Sequence, residues 1–140
     1  MITLEMANRI AAAAFKEGEA RGVTAMSVVV TDAGGHIRSA MRADSQGIFG
    51  VHTAHSKAQT ALGFFRSSLQ LGKYFLDHVA ATAVITAATE GRFMPLGGGV
   101  LVRDDMGETI GAAGVSGGAP EIDDEIITAA VRSVGLTVPQ

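Results

Sequence analysis

The residues able to do chemistry fall into three groups. His52 and His55 stand three apart in a stretch with helical spacing, so both imidazoles can reach one ligand or metal ion from the same helix face. No Glu separates them as in the zinc-protease arrangement, and no spacing singles out a third ligand among His36, Asp44 and His78. The plainer reading is two partly exposed histidines beside a core stripe. Lys57 sits among small residues in Ser56-Lys57-Ala58-Gln59-Thr60-Ala61. Drawn into a shallow pocket it would serve as a base, an electrophile or an anion clamp; otherwise it makes a structural ion pair with Asp32, Asp44 or Asp123. Arg42 and Asp44, two apart at a strand end, are expected to pair with each other.

The third group is glycine. The chain has 18 glycines in 140 residues, and nine of them lie between Gly91 and Gly118. Gly97-Gly98-Gly99 lacks the Gly-Lys-Ser/Thr ending of a phosphate loop, and Gly111-x-x-Gly114-x-x-Gly117-Gly118 does not have the dinucleotide spacing. Glu121, Asp123, Asp124 and Glu125 then crowd the first turn of the following helix, where they would repel a phosphate. No nucleotide is expected. Close packing and sharp turns account for most of these glycines. Gly97, Gly98 and Gly99, with Ser116, Gly117 and Gly118, can also form the wall of a ligand pocket at one sheet edge. Ser116 in Gly-x-Ser-x-Gly is no hydrolase nucleophile, because no histidine follows it.

Two chemistries fit these groups. One is ligand binding, in which His52 or His55 supplies an axial nitrogen to haem iron, for which one imidazole is enough. The other is a cofactor-independent isomerase or lyase acting on a small carbonyl or hydroxy-acid substrate. Lys57 or His55 is then the general base, and amides near Gly98 and Gly117 stabilise an enolate oxygen.

Composition narrows the classes further. One domain, residues 1–140, is the expected organisation for this length. The net charge of −3 and scattered basic residues offer no field for nucleic acid. With zero cysteines there is no disulfide framework, thiolate metal site or cysteine nucleophile. No apolar run approaches the length of a membrane span, and Met1 to Glu5 lacks a basic leader region. A cytoplasmic chain is expected.

The elements that must position these groups can be read from periodicity. Thr3 is expected to cap a helix ending near Arg21-Gly22, with Leu4, Ala7, Ala11, Ala14, Phe15 and Gly18 on its inner face. Met26 to Thr31 and His36 to Arg42 form a hairpin about Asp32-Ala33-Gly34-Gly35. Asp44-Ser45-Gln46-Gly47 opens a helix over 48–65, with Lys57 flanked by Thr53 and Thr60 and away from the edge holding His52, His55 and Gln59. A third helical stretch runs from Ser67-Ser68 to about Thr89, with a break allowed near Val84-Ile85-Thr86. Strands are expected at 92–94, 100–103 and 108–115, and a last helix from Pro120 to Val134, closed by Gly135. The sum is a mixed α/β fold with a mainly antiparallel sheet of about five strands flanked by helices.

Several segments together resemble one family, the GlcG/HbpS haem-binding family, also found as the C-terminal domain of PduO-type proteins. They are Val28-Val29-Val30-Thr31-Asp32-Ala33-Gly34-Gly35-His36, Arg42-Ala43-Asp44, Ser56-Lys57-Ala58-Gln59-Thr60-Ala61, Pro95-Leu96-Gly97-Gly98-Gly99-Val100 and Gly111 to Gly118 followed by Asp123-Asp124. The resemblance covers nearly the whole chain in order. It implies a profilin-like α-β-α sandwich, a homo-oligomer (tetramer or octamer), and haem or a related flat, acidic small molecule as ligand. It also brings Asp32 and Asp123 into the ligand-binding set beside Lys57 and the glycine loops. The chain departs from the family pattern at Ser45-Gln46, at His52 and His55, and at the third glycine before Val100.

Overall fold

A computed structural model describes all residues from Met1 to Gln140. The order is α1 (Leu4–Ala20), β1 (Ser27–Asp32), β2 (Ile37–Arg42), α2 (Gly50–Phe64), α3 (Ser68–Phe75), α4 (Val79–Ala88), β3 (Gly99–Arg103), β4 (Thr109–Ser116) and α5 (Pro120–Ser133). The four strands form one antiparallel sheet in the order β2-β1-β4-β3. Helices α1 and α5 cover one face and α2 the other. The fold is thus an α/β sandwich with four strands and not the five expected.

The missing strand is the one expected at Arg92-Phe93-Met94. This segment is irregular and its amides are satisfied outside any ladder: Phe93 N donates to Thr89 Oγ1 at 3.1 Å and Met94 N to Thr60 Oγ1 at 2.7 Å. Phe93 itself is held in a small aromatic cluster, 5.1 Å from Phe75 and 5.4 Å from Phe64 between ring centroids. The edge of β3 instead receives a single bridge from Thr137 to Arg103.

Strand alternation sorts the core. Val28, Val30, Val100, Val102, Ala113 and Val115 join Ile2, Ala7, Ile10, Ala11, Ala14, Ile126 and Ile127 in the main cluster under α1 and α5. Ile10 carries much of that inner face, whereas Leu4, expected inside, is 52% exposed. Thr3 caps α1 through its Oγ1, which accepts from Met6 N at 3.1 Å, a contact worth about 1 kcal/mol.

The α2 side is packed more closely still. Its buried face is Gly50, Ala54, Lys57, Ala58 and Ala61, and opposite lie Gly99 and Gly114, which are register partners in β3 and β4. A Cβ on Gly114 would come within 2.0 Å of Ala54 O, and one on Gly99 within 2.2 Å of Lys57 O. Backbone therefore rests directly on backbone, which only glycine permits.

The expected hairpin forms, with Asp32 Oδ1 accepting from Gly34 N at 2.9 Å and His36 N at 3.0 Å. The third helical stretch divides at Leu76-Asp77-His78 and not at Val84-Ile85-Thr86. Thr82, Thr86 and Thr89 donate their hydroxyls to carbonyls one turn back.

Candidate functional site

One flank of α2 is a polar ladder. Thr53 Oγ1 donates to Ser116 Oγ at 2.7 Å. One turn on, Lys57 Nζ donates to Val115 O at 3.0 Å and to Asp123 Oδ2 at 3.2 Å. Further along, Thr60 Oγ1 meets the 92–94 segment. Spacing of three to four residues keeps all three on one side of the helix, turned toward β4 and the glycine loop.

Lys57 and Asp123 are buried, their side chains 6% and 1% exposed. Asp123 is further held by Gly118 N, which donates to Oδ1 at 2.8 Å, and Gly117 N, which donates to Oδ2 at 3.3 Å. Burial pushes the Asp123 carboxyl above the ordinary carboxylate range, although the Lys57 ammonium and the two amides pull it the other way. Of the three acids open to Lys57 from sequence, the fold selects Asp123. The carboxylates of the α5 first turn thus point one member inward at a lysine.

The glycines close around this pair. A Cβ on Gly98 would lie 2.6 Å from Val115 O and 3.1 Å from Lys57 Nζ, and one on Gly97 would lie 2.3 Å from Pro120 O. Gly98 has φ +124, a conformation that a side chain would strain. This corner is packed on the side of Gly97, Gly98 and Gly99, which are buried, and open at Gly117 and Gly118, which are exposed. Two open clefts flank it. Ser116 lines one of about 340 Å³ with Gln46, Ile48, Phe49, Gly50 and Thr53. Gly97 lines another of about 210 Å³ with Leu69, Lys73, Leu76, Leu96 and Glu121.

The remaining expected site residues lie elsewhere. Asp32 ends β1, at the mouth of the β1-β2 turn. His55 is partly buried and its Nε2 is 2.9 Å from Gly35 O, which ties it to that hairpin. His52 is exposed on the first turns of α2. The two histidines are not gathered with a third donor, and no group of three His, Cys, Asp or Glu converges anywhere in the chain. Arg42 does not pair with Asp44; its Nη1 donates to Gln46 O at 2.9 Å.

Gln46 is the residue that sequence reasoning missed. In place of capping α2, its side chain bridges β1 and β4, with Oε1 accepting from Ser27 Oγ and Nε2 donating to Ser116 O at 2.9 Å. Ser27 and Ser116 are register partners, and only the pairing of β1 with β4 brings them to one place. The available signal was the uncommon small polar residue at the start of one strand and the end of the other.

Known proteins share this architecture. The structure titled as a PduOC:heme complex aligns over 99% of both chains with a TM-score of 0.87 at 23% identity, a likeness of fold. HbpS aligns over 96% of this chain and 90% of its own, with a TM-score of 0.79 at 26% identity. The Klebsiella pneumoniae protein ORFY aligns over 95% and 90%, with a TM-score of 0.80 at 26% identity. Among curated protein sequences there is no significant match. At the family level, residues 2–132 match the haem degrading proteins described as HbpS-like. A match over this much of the chain, together with the shared sandwich, means that the chain belongs to the HbpS-like family.

Proposed function

We propose that the protein binds haem, or a related flat and acidic small molecule, at the cleft between the start of α2 and Ser116. The observation that carries this reading is the exposed chemistry at the cleft and beside it. Ile48 and Phe49, 77% and 72% exposed, line the cleft, and exposed His52 stands beside it in the first turn of α2. Exposed Arg42 uses one guanidinium N–H on Gln46 O at the cleft's edge. Apolar wall, imidazole and guanidinium match the three parts of haem: its macrocycle, its iron and its carboxylates.

Haem, when bound, supplies an iron centre open to ligation and redox chemistry. The chain's part is to hold and orient it. His52 would offer an imidazole nitrogen to the iron, Ile48 and Phe49 apolar contact to the macrocycle, and Arg42 a partner for the carboxylates. Thr53 and Ser116 set the floor, which the Gln46 bridge and the buried Lys57–Asp123 pair keep rigid. Lys57 itself acts from inside the fold and not as a ligand contact. Both oxygens near its Nζ belong to the protein, so binding is put forward here and not proton abstraction by Lys57.

Titration with haemin followed by the Soret band tests the reading. The intact chain is expected to shift the band at about one haem per chain, His52→Ala to lose the shift, and His55→Ala to keep it. An unshifted Soret band with the intact chain would falsify the proposal.

A further inference from the structure

The far end of α2 borders another cleft, of about 170 Å³, that the haem reading does not use. Gly50 lines the cleft beside Ser116 and Gly63 lines this one, about 20 Å further along the helix axis at ~1.5 Å per residue. Two of its walls are aromatic. Phe64 is 39% exposed and Phe93 5%, and their ring centroids stand 5.4 Å apart at 52°.

Two unusual turns bring these walls together. Phe65 closes α2 at φ 52 and Glu90 follows α4 at φ 57, and no other non-glycine residue of the chain has a positive φ. Side chains disfavour that conformation, and folds hold it where a site depends on it. Phe65 directly follows Phe64, and the turn at Glu90 brings Arg92 back over α2, where Thr60 Oγ1 donates to Arg92 O at 3.3 Å.

Hydrogen-bonding capacity decides what the cleft can take. The Thr60 hydroxyl proton is given to Arg92 O, and the Thr89 hydroxyl donates to Ile85 O at 2.9 Å, so neither threonine has a proton left for a ligand. The free groups are the Gln59 amide and the outer N–H groups of Arg92. Arg92 Nε donates to Thr89 O at 3.0 Å, which fixes the plane of the guanidinium, and Arg92 forms no ion pair within the chain. A guanidinium held this way is a fork for one planar anion.

We propose that this cleft binds a single-ring aromatic carboxylate. The carboxylate lies on the Arg92 fork, the ring lies against Phe64 and Phe93, and the Gln59 amide meets a polar group on the ring. Arg92 is the one charged residue lining the cleft. A single cation beside aromatic walls suits one negative charge on a flat apolar body better than a multiply charged phosphate. Gly63 forms the mouth, being exposed with nothing within 4 Å of a Cβ built there.

Titration of the full chain with benzoate, followed by nitrogen–proton correlation NMR, is the test. Saturable shifts are expected at the Gly63 backbone amide, the Gln59 side-chain amide and Arg92 Nε. Arg92→Ala should weaken binding about 10-fold or more by removing a charge-assisted pair. Gly63→Leu should weaken it as much by filling the mouth, while α2 keeps its fold because leucine favours helix and the space is open. His52→Ala should leave benzoate binding unchanged, so that loss of the haemin site and loss of this one are separate results. The proposal is overturned if benzoate gives no saturable shift, or if inorganic phosphate binds as tightly. It is equally overturned by benzoate binding that Arg92→Ala or Gly63→Leu leaves intact, or that His52→Ala removes.

Discussion

Lys57 Nζ lies 3.2 Å from Asp123 Oδ2, and the two residues, 66 apart in sequence, are both sealed from solvent. Removing one member leaves the other charged and unpaired in a low-dielectric site, which costs about 3–5 kcal/mol. Lys57→Ala should lower stability by that amount in urea denaturation. Replacing both by apolar residues, Lys57→Met with Asp123→Leu, should recover much of the loss, because the pair's mutual attraction is largely offset by its desolvation. A double variant as unstable as Lys57→Ala would show instead that the amides of Gly117 and Gly118 depend on the Asp123 carboxylate.

The contact of α2 with the sheet predicts a second large effect. A methyl group on Gly114 would meet Ala54 O at 2.0 Å. The backbone must move apart to admit it, and overpacking of this kind costs about 1–3 kcal/mol or more. Gly114→Ala should therefore depress the melting temperature strongly. Gly63→Ala, on the open side of α2 with nothing within 4 Å, should be neutral or slightly stabilising, since alanine favours helix. Differential scanning calorimetry of the two variants checks the contrast.

Asp32 governs an acid-side dependence. The amides of His36 and then Gly34 hold its carboxyl below the ordinary aspartate value of 3.8, against the opposing effect of burial. A lowered folded pKa means that the unfolded chain binds more protons in this range. The stability from Asp32 is thus present above pH 3.8 and lost as pH falls through the folded value. Asp32→Ala should flatten the stability curve on its acid side, measured by denaturant unfolding from pH 6 downward, relative to the unaltered chain.

Asp124 should act with the opposite sign. Burial raises its carboxyl above 3.8, Lys73 pulls it down and Glu125 adds to the rise, and its Oδ1 is buried without a hydrogen-bond partner. With the folded pKa raised, its favourable contribution is full below 3.8 and disappears as pH rises through the folded value. Asp124→Asn should thus be more stable than the parent at neutral pH by about 1 kcal/mol or less, partial exposure screening the effect. That advantage should vanish in acid. A constant difference across pH would mean that the gain does not come from charge.

Element boundaries were legible where one local interaction decides them. Thr3 caps α1, Gly34-Gly35 turns the hairpin, and Pro120 opens α5 because the missing amide of proline belongs in a first helical turn. The same local logic misplaced Gln46, whose side chain bridges two strands from the loop before α2. It also turned Arg92 to Met94 into a strand, since nothing local shows that Phe93 is claimed by Phe64 and Phe75.

By itself the sequence determined the first, second and last helices, the two hairpins and, through its lack of cysteine, the absence of thiolate chemistry, because periodicity, caps, turns and composition act over a few residues. Only the tertiary structure decided which acid Lys57 meets, that Gly99 and Gly114 press on α2, and that α4 is left uncovered. Each of these depends on segments far apart in the chain. Whether a glycine is a wall or a packing contact, and whether a lysine is a clamp or a buried ion, is set by what the opposite element brings within about 3 Å.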